Sequence, residues 1–396
     1  MKTPDDPDAW GTGRRSRLFP GPFLVHADLH NHTRFSDGAG DPALLFPSLQ
    51  EAGLDVAAIT DHSRWASAFL GLVHAPGWTG IDSTDWRQAA ELADKFNADG
   101  DFVAMRGFEW SSATDGHMNV WGSQHFTDPL RSANSMHRWW RWLERDGRDG
   151  LVSFNHPGTG RRRFAGFTYR PAMAGRLVGL EVFNRADDYL FKDVDSGRRS
   201  PIVQCLDAGW RPGLLGVTDE HGADWGRPEG KGRAGLYVRD LSRSGVIEAL
   251  AARRFCASRV KGLRLDAAVT AEDGERARMG TAVPHQRGAV WVELDIDLGR
   301  PWWGRPLNVQ ILRPDARPAG SAAVPAVADA REVRLPTPDE PLIAYEVDLD
   351  AAAGPWVLVR VCDPNEPADH RAPGEYADFG AAIAYASPFW LEPPDA

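Results

Sequence analysis

The sequence predicts an α/β domain with a largely parallel sheet, followed by a smaller antiparallel β-sandwich. Three observations carry this prediction. Apolar runs typical of buried strands alternate with helical segments as far as about residue 260. Six of these runs end in a His, Asp or Glu side chain. Beyond residue 260, apolar and polar residues alternate strictly, for example from Val290 to Leu298, which predicts strands with one buried face.

The elements of the α/β domain follow from local signals. Asp41-Pro42 predicts a capped helix that ends at Gly53, and Ser200-Pro201 predicts another that closes near Gly209. Because parallel strands end at one edge of a sheet, we expect their terminal side chains to meet at one mouth. The predicted strands are 23–30, 56–60, 102–108, 151–154, 177–180 and 213–218, and the remaining helices are 85–96, 135–144 and 245–254.

The domain boundaries are placed where the pattern changes. The chain has 396 residues, enough for two domains. We expect a leader at 1–20, the α/β domain at 21–260 and the sandwich at 261–396, with further sandwich strands at 307–311, 343–349 and 356–362. Residues 319–330, rich in Ala, Pro and Val, are predicted to form a loop.

Composition excludes several classes of protein. The net charge of −10, with mixed signs and no basic run, argues against a nucleic-acid surface. No apolar run approaches the roughly 20 residues that span a membrane. Three scattered cysteines and the lack of an apolar leader predict a soluble cytoplasmic protein, whose oligomeric state stays open.

The strand ends predict a metal site. His30 and His32 lie two residues apart, so in a strand their side chains leave the same face, and Asp37 follows in the next loop. Imidazoles and carboxylates that converge in this way suit Zn, Mn or Fe better than Ca or Mg. The other strand ends supply Asp61-His62, Glu109, His156, Glu181 and Asp219-Glu220-His221.

Seven motifs in order resemble the PHP family (polymerase and histidinol phosphatase) of metallohydrolases. They are D-L-H-N-H-T-x-x-S-D-G (28–38), T-D-H (60–62), G-F-E-W (107–110), G-H-M-N (116–119), N-H-P (155–157), L-E-V-F-N (180–184) and T-D-E-H-G (218–222). The resemblance is greatest to the CehA/McbA-like branch, in which a PHP barrel carries a β-sandwich. It implies a distorted (β/α)7 barrel that binds two to three divalent ions.

The resemblance also implies a role for individual residues. A first ion would take His30, His32, Glu109 and Asp219; a second would share Glu109 and add His117 and His156; a third would take Asp37, His62 and His221. His125 is an alternative to His117. Glu109, Asp219 and Glu181 are the predicted catalytic residues, although Glu181 could instead orient a ligand. Asp28 and Asp61 could orient imidazoles from behind, and Arg161, Arg162 and Arg163 are either solvated or bind a phosphate.

The predicted activity is metal-dependent hydrolysis of a small phosphomonoester or phosphodiester by a metal-activated hydroxide. The alternative is the carbamate or ester hydrolysis that the CehA/McbA resemblance would imply, because the same hydroxide can attack a carbonyl carbon. A third interpretation is an inactive module kept for assembly. It is less consistent with the sequence, since every expected ligand position is filled.

Overall fold

The computed structural model describes residues 13–63, 80–129, 131–132, 135–158, 163–226, 231–271, 274–315 and 324–393. In these ranges the chain forms a mixed α/β structure with a large mixed sheet and a separate antiparallel sheet. The predicted leader at 1–20 lies largely outside the described residues. None of the described helices is both long and apolar enough to cross a lipid bilayer.

The α/β part of the chain supplies eleven strands within the described residues. Short segments such as β3 and β8 extend the ends of longer neighbours. The strands are β1 (Phe23–Asp28), β2 (Val56–Ile59), β3 (His62–Ser63), β4 (Val103–Ser112), β5 (Gly116–Trp121), β6 (Leu151–Asn155), β7 (Leu177–Asn184), β8 (Asp187–Asp188), β9 (Gly213–Val217), β10 (Arg233–Val238) and β11 (Phe255–Ser258).

The α-helices follow the predicted caps. Asp41 accepts a hydrogen bond from the backbone of Ala43, and Pro42 begins the first helix. The second helix begins at Ser83, two residues before the predicted start, because Asp82 and Asp85 form a capping box. The helices are α1 (Pro42–Glu51), α2 (Ser83–Phe96), α3 (Met136–Arg145), α4 (Phe164–Phe167), α5 (Pro201–Asp207), α6 (Arg243–Ala251) and α7 (Gly374–Ala377).

The sheet of the α/β part is mixed, so the expectation of a parallel sheet is wrong for several strand pairs, among them β7–β8 and β10–β11. β1, β2 and β4 are parallel, as are β6, β7 and β9. β5 runs antiparallel to both β4 and β6, and β10 runs antiparallel to β1. The reason at β5 is the turn from Ser112 to Gly116, which is too short for a crossover and leaves only a hairpin.

Backbone hydrogen bonds bring the end of β9 back to the end of β1. Asp219 N donates a hydrogen bond to His30 O, and His32 N donates one to Glu220 O; each donor–acceptor distance is 3.0 Å. These bonds place the segments that follow the two strands side by side. Within the described residues no ladder joins β9 to β1 along their length, so the closed (β/α)7 barrel stays a prediction.

The C-terminal part consists of two sheets that share one core. Leu265 and Val292 of the separate four-stranded sheet pack in the same apolar cluster as Val309 and Val359 of the large sheet. The strands are β12 (Arg264–Thr270), β13 (Arg276–Arg278), β14 (Ala282–Pro284), β15 (Arg287–Asp297), β16 (Pro306–Arg313), β17 (Ala326–Arg334), β18 (Ile343–Asp350), β19 (Trp356–Asp363), β20 (Ala381–Ala386) and β21 (Phe389–Glu392).

Two features of this part differ from expectation. Ala326 to Ala330 belongs to β17 and pairs with β16, so the loop prediction is wrong there, while 316–323 lies outside the described residues. The large sheet also continues across the predicted domain boundary, since β11 pairs with β20. The boundary near residue 260 therefore separates two patterns of sequence within one hydrogen-bonded sheet.

Candidate metal centre

The structure brings all nine predicted ligand side chains into one network at the end of the sheet where β1, β4 and β9 end. Eight of them lie in a strand or just after one, because strands of this sheet deliver their terminal side chains to a common edge, and Asp37 lies in a loop. The positions are His30 and His32 after β1, Asp37 in the loop to α1, His62 in β3, Glu109 in β4, His117 in β5, His156 after β6, and Asp219 and His221 after β9.

Glu109 lies at the centre of this network and is fully buried. Its two carboxylate oxygens face different groups of histidines. Oε1 lies 3.3 Å from His30 Nε2, 3.4 Å from His117 Nδ1 and 3.2 Å from His156 Nε2. Oε2 lies 2.6 Å from His62 Nδ1 and 3.7 Å from His32 Nε2. A carboxylate with histidines on both oxygens has the arrangement required to bridge two ions.

Asp219 supplies the second buried carboxylate. Its Oδ1 lies 3.4 Å from His30 Nε2, 3.2 Å from His32 Nε2 and 3.4 Å from His221 Nδ1. Asp219 has a φ of 48°, in the left-handed region, which is uncommon for a residue other than glycine. The turn directly after β9 is thus held in an unfavourable conformation at the point where it presents this carboxylate.

Among the residues that the structure describes, three groups of side chains could each hold a metal ion. These groups share more residues than the resemblance implied. His32 belongs to two of them, and His62 contacts Glu109 as well as Asp37. The groups are His32, Asp37, His62 and His221; His30, His32 and Asp219; and His62, Glu109 and His117.

Unpartnered polar atoms show that these residues fit a metal ion. Among the described residues, His32 Nδ1, His117 Nδ1 and Asp219 Oδ1 are buried and make no hydrogen bond of normal geometry, although Asp219 Oδ1 lies 3.2 Å from His32 Nε2 and His117 Nδ1 lies 3.4 Å from Glu109 Oε1. A buried polar atom left in this state costs roughly 1–3 kcal/mol. Bound cations could satisfy such atoms, since each is of a type that ligates zinc, manganese or iron.

The electrostatics prepare several of these groups for ligation. Burial raises the pKa of Glu109, but the imidazoles of His117, His30 and His62 outweigh it and hold that pKa well below its usual range. The pKa of Asp219 is lowered in the same way, by His30 and His32 against the effect of burial. Burial lowers the pKa of His117 to about 4, so this ring keeps a free lone pair at neutral pH.

Glu181 contacts the network from behind. It is fully buried, and its Oε1 lies 2.7 Å from His30 Nδ1, the ring nitrogen that faces away from the cluster. Its Oε2 accepts hydrogen bonds from the backbone N of His156 at 2.6 Å and from Asn184 Nδ2 at 2.9 Å. Both oxygens are therefore occupied by the protein, which favours the orienting role over the predicted catalytic one.

Replacing Glu181 tests this orienting role. We expect Glu181→Gln to weaken metal binding by roughly 10- to 100-fold, because the ring of His30 loses the carboxylate that fixes its tautomer. The measurement is metal content and affinity by competition with a chelator. The exposed Glu248, which pairs with Arg254, provides the control Glu248→Gln. Unchanged metal affinity in Glu181→Gln would contradict the assignment.

Asp28 and Asp61 do not orient imidazoles as expected. Asp28 accepts hydrogen bonds from the backbone N and the hydroxyl of Thr218, and Asp61 accepts from the backbone and hydroxyl of Thr33 and from Ser36. Burial raises the pKa of each carboxyl to about 6. Their effect is to tie the loops after β1 and β9 to the sheet below the cluster.

Sequence reasoning missed one cation at this site. The Nε of Arg185 donates to Asp219 O at 3.2 Å, and its Nη2 lies 2.8 Å from His221 Nδ1. Its position directly after Asn184, at the end of a strand, was the available signal. His125 is exposed, so His117 is the histidine that joins the cluster. Arg161 and Arg162 lie outside the described residues.

Comparisons with known proteins give distant similarities. A family model described as a protein of unknown function (DUF3604) matches residues 72–156. No curated protein matches the chain. A two-domain protein from Bacteroides vulgatus that contains a predicted PHP-like metal-dependent phosphoesterase has a TM-score of 0.45 and 17% identity, over 95% of this chain and 100% of that one.

Two further solved structures resemble part of the chain. A candidate metal-dependent phosphoesterase from Bifidobacterium adolescentis has a TM-score of 0.30 and 16% identity, over 52% of this chain and 88% of its own. An amidohydrolase from Chromobacterium violaceum, with bound sulfate and no metal, has a TM-score of 0.29 and 14% identity, over 50% and 87%. Similarities of this size assign the chain to no family, so its function has to be argued from the cluster itself.

Proposed function

We propose that this protein is a hydrolase that uses two to three divalent ions, Mn, Zn or Fe, to cleave a small phosphomonoester or phosphodiester. The observation that supports it most directly is Glu109, a buried carboxylate with histidines on each of its two oxygens. The PHP-type assignment and its CehA/McbA-like branch belong to the same proposal, as does a location in the cytoplasm.

The chain's own residues would prepare the reaction. Bound divalent ions supply a water of lowered pKa and offset the charge that develops in hydrolysis. Glu109 and Asp219 would hold the ions, and Glu181 would keep the ring of His30 turned towards them. The burial of these carboxylates strengthens each electrostatic interaction, since little water is present to screen it.

Arg185 supports an anionic substrate over a neutral one. Its side chain is 52% exposed, although its backbone N bonds Val217 O and its backbone O accepts from Gly232 N. The backbone is therefore fixed while the guanidinium remains accessible beside the cluster. A guanidinium in that position can bind two oxygens of a phosphoryl group through parallel hydrogen bonds.

Substitution of Arg185 tests the choice of substrate charge. We expect Arg185→Gln to raise the KM for a phosphoester by about 10- to 100-fold, the equivalent of one charge-assisted hydrogen bond. The KM for a neutral carbamate should change by less than about threefold. The control is Arg239→Gln, which alters an exposed arginine paired with Glu248. In this control the KM values for the phosphoester and for the carbamate should both change by less than about threefold. Equal effects of Arg185→Gln on both substrates would contradict this role.

A substrate panel tests the proposed activity. The metal-reconstituted protein is assayed with para-nitrophenyl phosphate, bis(para-nitrophenyl) phosphate and 1-naphthyl N-methylcarbamate. We expect turnover of a phosphoester that requires added metal and stops with EDTA. Turnover of the carbamate alone would replace the proposal by the carbonyl hydrolase, and a protein that binds no metal and turns over none of the three would support the inactive module.

A further inference from the structure

A cavity lies between the α/β part and the C-terminal part of the chain. Its volume is about 650 Å³, within the range of roughly 300–1,000 Å³ that is typical of small-molecule sites. Ala186 and Arg259 line it from the α/β part, and Trp302 and Ile383 line it from the C-terminal part. None of the nine metal-cluster residues lines this cavity, so its contents would be separate from the substrate of the cluster.

The cavity carries an excess of positive charge. Four cationic side chains line it against two acidic ones, whereas the whole chain has a net charge of −10. A local excess of cations in an acidic protein marks a place where an anion is favoured. The cations are Arg233, Arg259, Lys261 and Arg305, and the acids are Asp363 and Glu366.

Arg259 is held in place by the protein. Its guanidinium donates from Nη2 to Ala186 O at 2.7 Å and lies 4.3 Å from the centre of the Phe183 ring. Its Nε is buried and, among the described residues, has no hydrogen-bond partner. The charge of Arg259 also acts on the buried Asp188, but that carboxylate accepts hydrogen bonds from Tyr385 Oη and Leu190 N. A guanidinium that the protein already holds in place loses little entropy when it binds an anion.

Two of the other cations, Lys261 and Arg305, are in no ion pair among the described residues. Asp363 uses its Oδ1 to accept hydrogen bonds from the backbone and side chain of Asn365. The guanidinium of Arg305 lies 4.9 Å from the centre of the Trp302 ring, which gives a flat surface that is both cationic and aromatic.

We propose that this cavity is a binding site for a small phosphorylated molecule that carries an aromatic ring. The cations would bind the phosphate, and the surface formed by Arg305 and Trp302 would receive the ring. The volume accommodates a molecule the size of a nucleoside monophosphate. The site does not depend on the proposed hydrolase activity, because it uses none of the residues of the metal cluster.

Calorimetric titration of the full chain with adenosine 5′-monophosphate tests the site. EDTA is present, so that binding does not depend on metal at the cluster. We expect one equivalent to bind, and the Kd to rise at least tenfold in Arg305→Glu and in Lys261→Glu. Both side chains are exposed, so both variants should fold, which the Tm checks. Arg141→Glu reverses a matched exposed charge on α3, outside the cavity, and should leave the Kd unchanged.

Two companion probes test the class of ligand. Adenosine, which lacks the phosphate, and inorganic phosphate, which lacks the ring, should each bind at least tenfold more weakly than adenosine 5′-monophosphate. The proposal is overturned if the wild-type chain shows no binding at millimolar concentration, or if both cavity variants bind as tightly as the wild type. It is also overturned if inorganic phosphate binds as tightly as the nucleotide. None of these results bears on turnover in the substrate panel.

Discussion

Glu109→Ala is expected to abolish hydrolysis and to remove more than one metal ion per chain. The physical reason is that each oxygen of this carboxylate faces a different group of histidines, so under the bridging proposal one substitution removes a ligand from two ions. Each lost ion removes several kcal/mol of transition-state stabilisation, so activity should fall by a factor on the order of 10³ or more. The measurements are turnover of the best substrate in the panel and metal content by elemental analysis after gel filtration.

A variant of Asp37 provides the matched comparison for Glu109. Asp37 is a carboxylate of the same network, but only its Oδ1 faces histidines, namely His32, His62 and His221. Asp37→Ala should therefore cost at most one ion. Full metal stoichiometry in Glu109→Ala, or an equal loss in the two variants, would show that Glu109 does not bridge two ions.

Adding Mn²⁺ to the metal-stripped protein is expected to raise its Tm, and to raise it more as the pH increases. At a free metal concentration 1,000-fold above the Kd, the stabilisation is about 4 kcal/mol, or several degrees in Tm. In the metal-free protein, imidazoles and carboxylates are buried together without full hydrogen bonding, which lowers the stability of the fold. Metal binding removes this cost.

The pH dependence follows from His62. Burial lowers its pKa, but the carboxylates of Glu109 and Asp37 outweigh burial and raise that pKa from 6.5 to about 10. In the metal-free protein the extra proton stabilises the fold fully below pH 6.5, and this contribution is lost as the pH rises towards 10. A metal ion that takes the nitrogen displaces the proton, so its stabilising effect should grow over the same interval.

Scanning calorimetry at pH 6.5, 7.5 and 8.5, with and without Mn²⁺, measures this effect. Calorimetric titration in buffers of different ionisation enthalpy counts the protons released. Ca²⁺ serves as the control cation, because it prefers oxygen ligands and a cluster rich in imidazole suits it poorly. A metal centre dominated by histidines would be contradicted if Ca²⁺ raised the Tm as much as Mn²⁺ does. It would also be contradicted if the increase with Mn²⁺ became smaller as the pH rises.

Several elements could be predicted because their signals are local. The cap at Asp41-Pro42 gave the start of α1 without any knowledge of the rest of the chain. The strict alternation after Val290 likewise predicted β15, which runs from Arg287 to Asp297. In contrast, β5 carries a predicted ligand, His117, and yet was not foreseen as a strand, because its partners lie in β4 and β6.

The sequence by itself predicted which side chains belong to the cluster. Ligand-type residues at successive strand ends are a local property of each strand, while His117, which follows no predicted strand, came from the resemblance to the PHP family. Only the tertiary structure decided how these side chains face one another. It places histidines on both oxygens of Glu109 and Arg185 beside His221. It also places Glu181 against the outer nitrogen of the His30 ring, although the two residues are 151 positions apart in the sequence. These are distances between separate strands. They are set by how the sheet is twisted and packed, and no local pattern in the sequence specifies them.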